Sequence, residues 1–427
     1  MIKESEYKKR RDSLAKKMPN NSVGVIFSAE PATRSHDTHH PYRQDSNFYY
    51  LSGFKEDNAT LLFLKTKDGL KTVMFVQKKD KTFELWNGER LGAKEAKKSF
   101  LVDEIYESRE FKNRFKEFIK GKSAIFCELG SKKREVKKVL KLTKSFKTKH
   151  DIIPLVQKMR LFKSAAEIEL IKESIAITTK AHHRAMRVNK KDRFEYELQA
   201  EIEHEFKINA AYSDAYTSIV ACGNSANTLH YIKNDKPLID GELILIDAGC
   251  EHNYYASDIT RTIPVNGKFS EAQKELYNLV LDTQLRVISM IKPSVKRSHL
   301  QESAEMMLTK GMVELGILRG NYKKLIKLQK HKKYYPHGIG HWMGIDVHDP
   351  APYKDKKHRE IPLQKGMVLT IEPGIYIDKD DKSVPERYRG IGIRIEDNIL
   401  VTKDGYENLS SAIAKTVDEV EAICAKF

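Results

Sequence analysis

Residues 243–265, LILIDAGCEHNYYASDITRTIPV, decide how the rest of the chain reads. The apolar run Leu243–Ile246 delivers Asp247 at its end, and Asp258 opens a second β-rich run, Ile259–Val265. Between them, Gly249, His252, Asn253 and two tyrosines suit a connection between adjacent strands. A carboxylate that ends a buried strand is costly unless a charge or donors meet it. Two carboxylates on paired strands also repel each other, and a divalent cation removes both problems. The plainer reading makes Asp247 a turn cap and Asp258 a residue on a solvated edge. This pair alone does not separate the two readings.

Working outward, 427 residues imply two or three domains. An apolar content of 40% is that of an ordinary globular protein. No run approaches the roughly 18 apolar residues that a membrane span needs, so no membrane partner is expected. The opening MIKESEYKKRRD is charged but lacks the apolar core of a secretory signal. Cys127, Cys222, Cys250 and Cys424 are scattered, with no CxxC pair, and fit reduced thiols in a cytoplasmic protein. The net charge of +17 raises nucleic-acid binding as a hypothesis. The lysines are spread thinly, however, and their densest run, Ser131–His150, interleaves them with Val136, Val139 and Leu140 at helical spacing. A solvated helix face is the simpler reading, and no nucleic-acid partner is expected.

Residues 1–158 read as a small α/β domain: a helix at Glu4–Lys17, then strands at Ser22–Phe27, Ala59–Leu64, Thr72–Val76 and Ala124–Cys127. Within it, Arg34–Phe54 reads as a loop that positions a neighbour or substrate. His36, His39 and His40 lie there without clustered acidic or thiol partners to make a metal site. Residues 159–427 read as an α+β domain. Ser164 with Glu167, Ser270 with Gln273, and Ser298 with Gln301 each fit a capping box at a helix start. His182 and His183 point to different helix faces and read as structural. His204-Glu205 lacks the second histidine of a zincin helix. Strands return at Gly366–Glu372 and Gly392–Val401.

Those late strands carry further candidate ligands. Glu372 ends an apolar strand before Pro373-Gly374. In GIGIRIED, alternation sets Arg394 and Glu396 on the face opposite the isoleucines, where buried charge needs a partner. PHGIGHWMGIDVHD offers His337, His341 and His348; its proline and glycines argue against a helix, so at most one of His337 and His341 need be a ligand. Four carboxylates and one imidazole make an oxygen-rich site suited to Mn²⁺, Co²⁺ or Fe²⁺, and Zn²⁺ less well. Two ions about 3.5 Å apart would use all the carboxylates. There is no GxSxG elbow and no P-loop.

Asp247, Asp258, His341, Glu372 and Glu396, in that order and spacing, resemble the five ligands of the pita-bread metallopeptidases. Within that family, the segments PYRQDSNFYYLSGF, ELWNGERLG, MRLFKS, LHYIKND, LIDAGC, YASDITRTIPVNGKFS, HGIGHWMGIDVHD and VPERYRGIGIRIEDNI resemble the bacterial-type aminopeptidase P branch over almost the whole chain. One departure is Glu56-Asp57-Asn58 after Gly53-Phe54, where the family usually has a proline. The resemblance implies a pita-bread catalytic domain behind a smaller creatinase-like α/β domain, and two divalent ions, Mn²⁺ foremost, with Co²⁺, Fe²⁺ or Zn²⁺ as alternatives. It implies that Asp247 chelates one ion, that Asp258 and Glu396 bridge both, and that His341 and Glu372 bind the other. A bridging hydroxide would attack, with Glu372 as general base. His230 and His348 would hold the substrate carbonyl and gem-diolate. His337, Tyr376 and Arg394 would line the prolyl site, and Trp86 would reach a neighbouring subunit of a homodimer or homotetramer.

The implied activity is release of the first residue from peptides with proline second, whose scissile bond has no N–H. Prolidase, which cleaves only dipeptides, shares the five ligands and is the rival within the fold. The rival of another class is a non-catalytic, basic nucleic-acid- or protein-binding protein.

Overall fold

The computed structural model describes residues 1–425, which divide into two compact units, Met1–Arg160 and the chain from Leu161 onward. The first unit is built on a six-stranded mixed sheet. Its order is Glu104–Glu107, Gly69–Val76, Thr60–Thr66, Ser22–Phe27, Ala124–Cys127, Thr148–Asp151. Ser22–Phe27 is buried along its whole length and pairs antiparallel with Thr60–Thr66 and parallel with Ala124–Cys127. Val23, Val25, Leu62, Val73, Phe75 and Ile125 pack against Phe115, Val136 and Val139 of two covering helices. Helix Arg134–Leu142 thus buries its valines and leaves its lysines in solvent, as its periodicity predicts.

The segment Arg34–Phe54 departs from the expected loop. It contains the helix Ser46–Ser52, started by Asp45, whose Oδ1 accepts the backbone N–H groups of Asn47 and Phe48. Phe48, Tyr49, Tyr50 and Leu51 are buried, so this aromatic cluster is core. Trp86 lies on helix Lys81–Asn87, which buries none of its residues; Trp86 and Leu85 are each 81% exposed.

In the second unit, four long helices, Ala165–Val188, Glu195–Ile208, Glu271–Ser289 and Arg297–Glu314, flank short antiparallel strands. This is the expected α+β class. Leu243–Asp247 is the middle strand between Ile219–Cys222 and Thr260–Pro264, with Asp247 opposite Thr260. The link between its two aspartates folds into its own tight hairpin, Cys250–His252 against Tyr255–Ala256, turning at Asn253 and Tyr254 with positive φ. A Cβ on Gly249 would lie 1.9 Å from the Ser257 carbonyl oxygen, so the hairpin closes only over glycine.

Two further small sheets pair Val368–Ile371 with Asp397–Val401, and Gly374–Tyr376 with Gly392–Arg394. The expected single strand Gly392–Val401 is therefore two strands, interrupted at Ile395 and Glu396. There the backbone N–H of Glu396 turns to the Thr260 carbonyl at 3.0 Å, tying this segment to the sheet that carries Leu243–Asp247. Of the three expected capping boxes, those at Ser164 and Ser270 form. The one at Ser298 does not. The helix begins two residues earlier, at Arg297 after Lys296; Glu360 accepts the Ser298 N–H at 2.9 Å, and Gln301 is taken by the Ile339 N–H at 2.6 Å. Long-range partners supply what the local pattern promised.

Candidate metal centre

Strand ends and the loop that carries His341 bring Asp247, Asp258, His341, Glu372 and Glu396 into the lining of a cavity of about 330 Å³ within the second unit. Their donor atoms form overlapping triads, each within 4.8 Å: Asp247, Asp258 and Glu396; His341, Glu372 and Glu396; and Asp258, His341 and His348. Asp258, His341 and Glu396 each belong to two of them.

Each donor is aimed by a specific partner. Tyr216 donates to Asp247 Oδ1 at 2.6 Å, and Arg394 Nη2 donates to Oδ2 at 2.6 Å. Asn398 grips the Asp258 backbone from both sides, accepting its N–H at 3.1 Å and donating to its carbonyl at 2.6 Å. The Thr260 hydroxyl receives Arg394 Nε at 3.1 Å and donates to Glu396 Oε2 at 2.7 Å. His341 Nδ1 lies 3.0 Å from the Trp342 carbonyl, which can only accept, so the proton sits on Nδ1. Nε2 faces Asp258 at 3.2 Å and Glu372 at 3.7 Å, so loss of its proton leaves the tautomer a metal ligand needs. A Cβ on Gly340 would fall 1.9 Å from the Thr370 carbonyl oxygen, so glycine lets the His341 loop reach the strand. Thr370 then accepts the His341 N–H at 3.0 Å and donates to Glu372 Oε1 at 3.3 Å.

Charge in this cluster is strongly frustrated. Burial raises Glu372 to about 7, with the Asp258 and Asp247 charges adding and His341 and Arg394 opposing. Burial and then the neighbouring carboxylates, led by Asp258, push Glu396 well up. Asp247 is also raised, first by burial and then by Asp258, against the pull of Arg394. For His341 burial opposes the charge, but the Asp258 hydrogen bond and the Asp258 and Glu372 fields hold the imidazole up at about 9. Oxygen-rich donors crowded at such cost fit a pair of divalent cations, which relieve the repulsion directly.

Beside the donors, a second chain has a fixed direction. Arg394 Nη1 donates to the Tyr376 hydroxyl at 2.9 Å, Tyr376 donates to His337 Nε2 at 2.8 Å, and His337 Nδ1 donates to the Gly338 carbonyl at 2.8 Å. Burial and then the Arg394 charge hold His337 down at about 4, so it is neutral at pH 7. His230 and His348 are exposed on the cavity wall, and the His348 ring meets that of His341 edge-on at 4.1 Å. Trp86 is not among the lining residues.

Several functional side chains have no marker in the sequence. Tyr216, Thr260, Thr370 and Asn398 are ordinary polar residues until the fold aims them. Behind the cluster, the fully buried Arg261 donates to the carbonyls of Thr260 (2.9 Å) and Glu396 (2.7 Å) and pairs with Asp397 at 2.8 Å. Gln284 Nε2 reaches the carbonyls of Ile371 and Ile395 at 3.3 and 3.1 Å.

Residues 169–403 match metallopeptidase family M24, and residues 7–126 match the aminopeptidase P N-terminal domain. The chain belongs to metallopeptidase family M24. It is 42% identical over 420 residues to the Xaa-Pro aminopeptidase of Haemophilus influenzae, covering 98% of this chain and 97% of that one. It is 40% identical over 434 residues to the Escherichia coli Xaa-Pro aminopeptidase, covering 99% and 98%. Among solved M24 structures, it is similar to zinc-substituted Escherichia coli aminopeptidase P in complex with product. The TM-score is 0.95 at 38% identity, over 99% of this chain and 98% of that one. The two-domain architecture with a pita-bread catalytic domain is therefore that of this family.

Proposed function

We propose that this chain is a dinuclear-metal Xaa-Pro aminopeptidase, hydrolysing the first peptide bond of peptides with proline second. The observation that carries the reading is the convergence of five donors, from four separate stretches of chain, in overlapping triads joined at Asp258, His341 and Glu396. Relatives named Xaa-Pro aminopeptidase over nearly their full length support the substrate class. Asp247 would hold one ion and His341 and Glu372 the other, with Asp258 and Glu396 shared between them. When bound, such a pair supplies a nucleophilic water at neutral pH and a Lewis acid for the scissile carbonyl. Mn²⁺ is the proposed metal, with Co²⁺, Fe²⁺ and Zn²⁺ as alternatives, on the chemistry of the donor set.

Glu372 takes the proton of the attacking water and passes it to the leaving prolyl nitrogen. His230 and His348, on the exposed wall, donate to the carbonyl oxygen as negative charge develops there. Neutral His337, braced by Tyr376 and Arg394, forms the wall against the prolyl ring. Trp86 belongs to the same proposal. A tryptophan and a leucine both standing free on one helix are unusual at a monomer surface and suit contact with another subunit of a homodimer or homotetramer. Four buried, unpaired cysteines support a cytoplasmic location, and no described helix is long and apolar enough to cross a membrane.

The test uses protein stripped with chelator and reloaded with Mn²⁺, incubated separately with an Xaa-Pro dipeptide, an Xaa-Pro-Xaa tripeptide and a Met-Ala-Ser peptide, with products followed by mass spectrometry. Metal-dependent release of the first residue from the tripeptide is the expected result. Cleavage of the dipeptide alone makes the protein a prolidase, and cleavage in no metal removes the enzymatic reading.

A further inference from the structure

One stretch of the catalytic unit is dense in lysine. Residues 322–333, YKKLIKLQKHKK, form the short helix Tyr322–Lys327 and the turn Lys330–Lys333, and the helix buries no residue. Of its six lysines, only Lys333 has a carboxylate partner among the described residues, Asp381 at 2.6 Å. The segment runs directly into Pro336 and His337.

A second cavity, of about 470 Å³, opens at this junction, walled in part by Arg297, Lys332, His337 and Lys354. His337 also lines the metal-centre cavity, so the two spaces share a wall residue. The acids of this basin are already engaged. Glu360 accepts the Ser298 N–H at 2.9 Å, and Glu305 accepts Gln301 Nε2 at 3.0 Å and faces His331 at 3.5 Å. The ammonium groups of Lys332 and Lys354 are exposed and have no hydrogen bond or ion pair among the described residues. Three cationic side chains, Arg297, Lys332 and Lys354, against two carboxylates, Glu305 and Glu360, leave the lining net positive.

We infer that this basin receives the part of the substrate beyond the proline, and that Lys332 and Lys354 favour peptides bearing a carboxylate there. The inference rests on the reading above, because it places the prolyl ring against His337. Two lysines acting across solvent on one or two carboxylates are worth about a fivefold preference in kcat/KM, shrinking as salt screens them.

The experiment compares Mn²⁺-loaded protein on Ala-Pro-Gln-Gln amide, Ala-Pro-Glu-Glu amide, Ala-Pro-Lys-Lys amide and Ala-Pro-Gln-Gln with a free C-terminus, at low and high salt. It is repeated with the double variant Lys332→Gln/Lys354→Gln. The expected result is faster cleavage of a carboxylate-bearing peptide than of the neutral amide. That gain is lost in the double variant, while turnover of the neutral amide is kept. A gain confined to the glutamate peptide assigns the site to side chains, and one confined to the free terminus assigns it to the peptide end. Equal rates for all four peptides, or a preference unchanged in the double variant, overturn the inference. Failure to cleave even the neutral amide overturns the aminopeptidase reading instead.

Discussion

Arg394 and Asp247 form a buried ion pair, Nη2 to Oδ2 at 2.6 Å, with side chains only 5% and 13% exposed. The guanidinium thus holds in place one member of the donor cluster while also orienting Tyr376 and Thr260. Removing one partner of such a pair leaves an uncompensated buried charge, at about 3 kcal/mol or more. Arg394→Met is therefore expected to lower the melting temperature of chelator-stripped protein markedly. Mn²⁺ should restore part of the loss, because the ion takes over the charge of Asp247. Thermal unfolding with and without Mn²⁺ checks this, and an equal loss in both states would separate Asp247 from metal binding.

Asp258 and Glu396 each sit in two donor triads. Asp258→Asn and Glu396→Gln keep the shape of each side chain and remove one anionic bridge. Both are expected to reduce turnover by about 10³-fold or more and to lower the bound metal per chain, with little change in circular dichroism. Elemental analysis beside peptide turnover measures this. Wild-type turnover in either variant, free of contaminating peptidase, would defeat the two-ion reading.

A pH dependence follows from the raised groups. His341 titrates at about 9 in the fold, above its ordinary value, so its contribution to stability is full below about 6.5 and is lost as pH rises through about 9. Glu372 is also raised, to about 7, so the folded protein holds a proton that the unfolded chain has already released. Stability therefore falls again between about 4.5 and 7. Both terms have the same sign. Chelator-stripped protein should lose stability from pH 5 to pH 9, while the gain on adding Mn²⁺ grows over the same window because ligands must be deprotonated to bind. A melting temperature of stripped protein that rises across this range contradicts the assignment.

Gln284 touches no donor, yet its amide joins the backbone just ahead of both Glu372 and Glu396. Its Oε1 accepts Lys415, which also binds Asp397, the partner of Arg261. Gln284→Met should weaken Mn²⁺ binding by about tenfold, as loss of a supporting contact does, and leave kcat at saturating metal nearly unchanged. Calorimetric titration of stripped protein with Mn²⁺ separates the two effects.

Much of this molecule is written in local pattern. Ser164 and Ser270 begin helices because hydroxyl and N3 side chain satisfy each other within one turn. Asp247 ends a strand because four apolar residues precede it, and the lysine face of Arg134–Leu142 follows from helical spacing. The carboxylates Asp247, Asp258, Glu372 and Glu396 were legible as candidates near strand ends in the same way, whereas His341 was singled out from His337 by the family resemblance. What the chain order did not show is how those ends meet. The break at Glu396 exists because its N–H finds Thr260, more than a hundred residues earlier. The box at Ser298 fails because Glu360 and Ile339 claim its groups. Tyr216, Arg261 and Gln284 acquire their roles only from partners remote in sequence. Periodicity and caps record forces acting within a few residues, and these the sequence determines alone. The direction of a buried charge is decided by whichever donors the tertiary fold brings to it, because a charge out of water accepts no arrangement that leaves it unpaired.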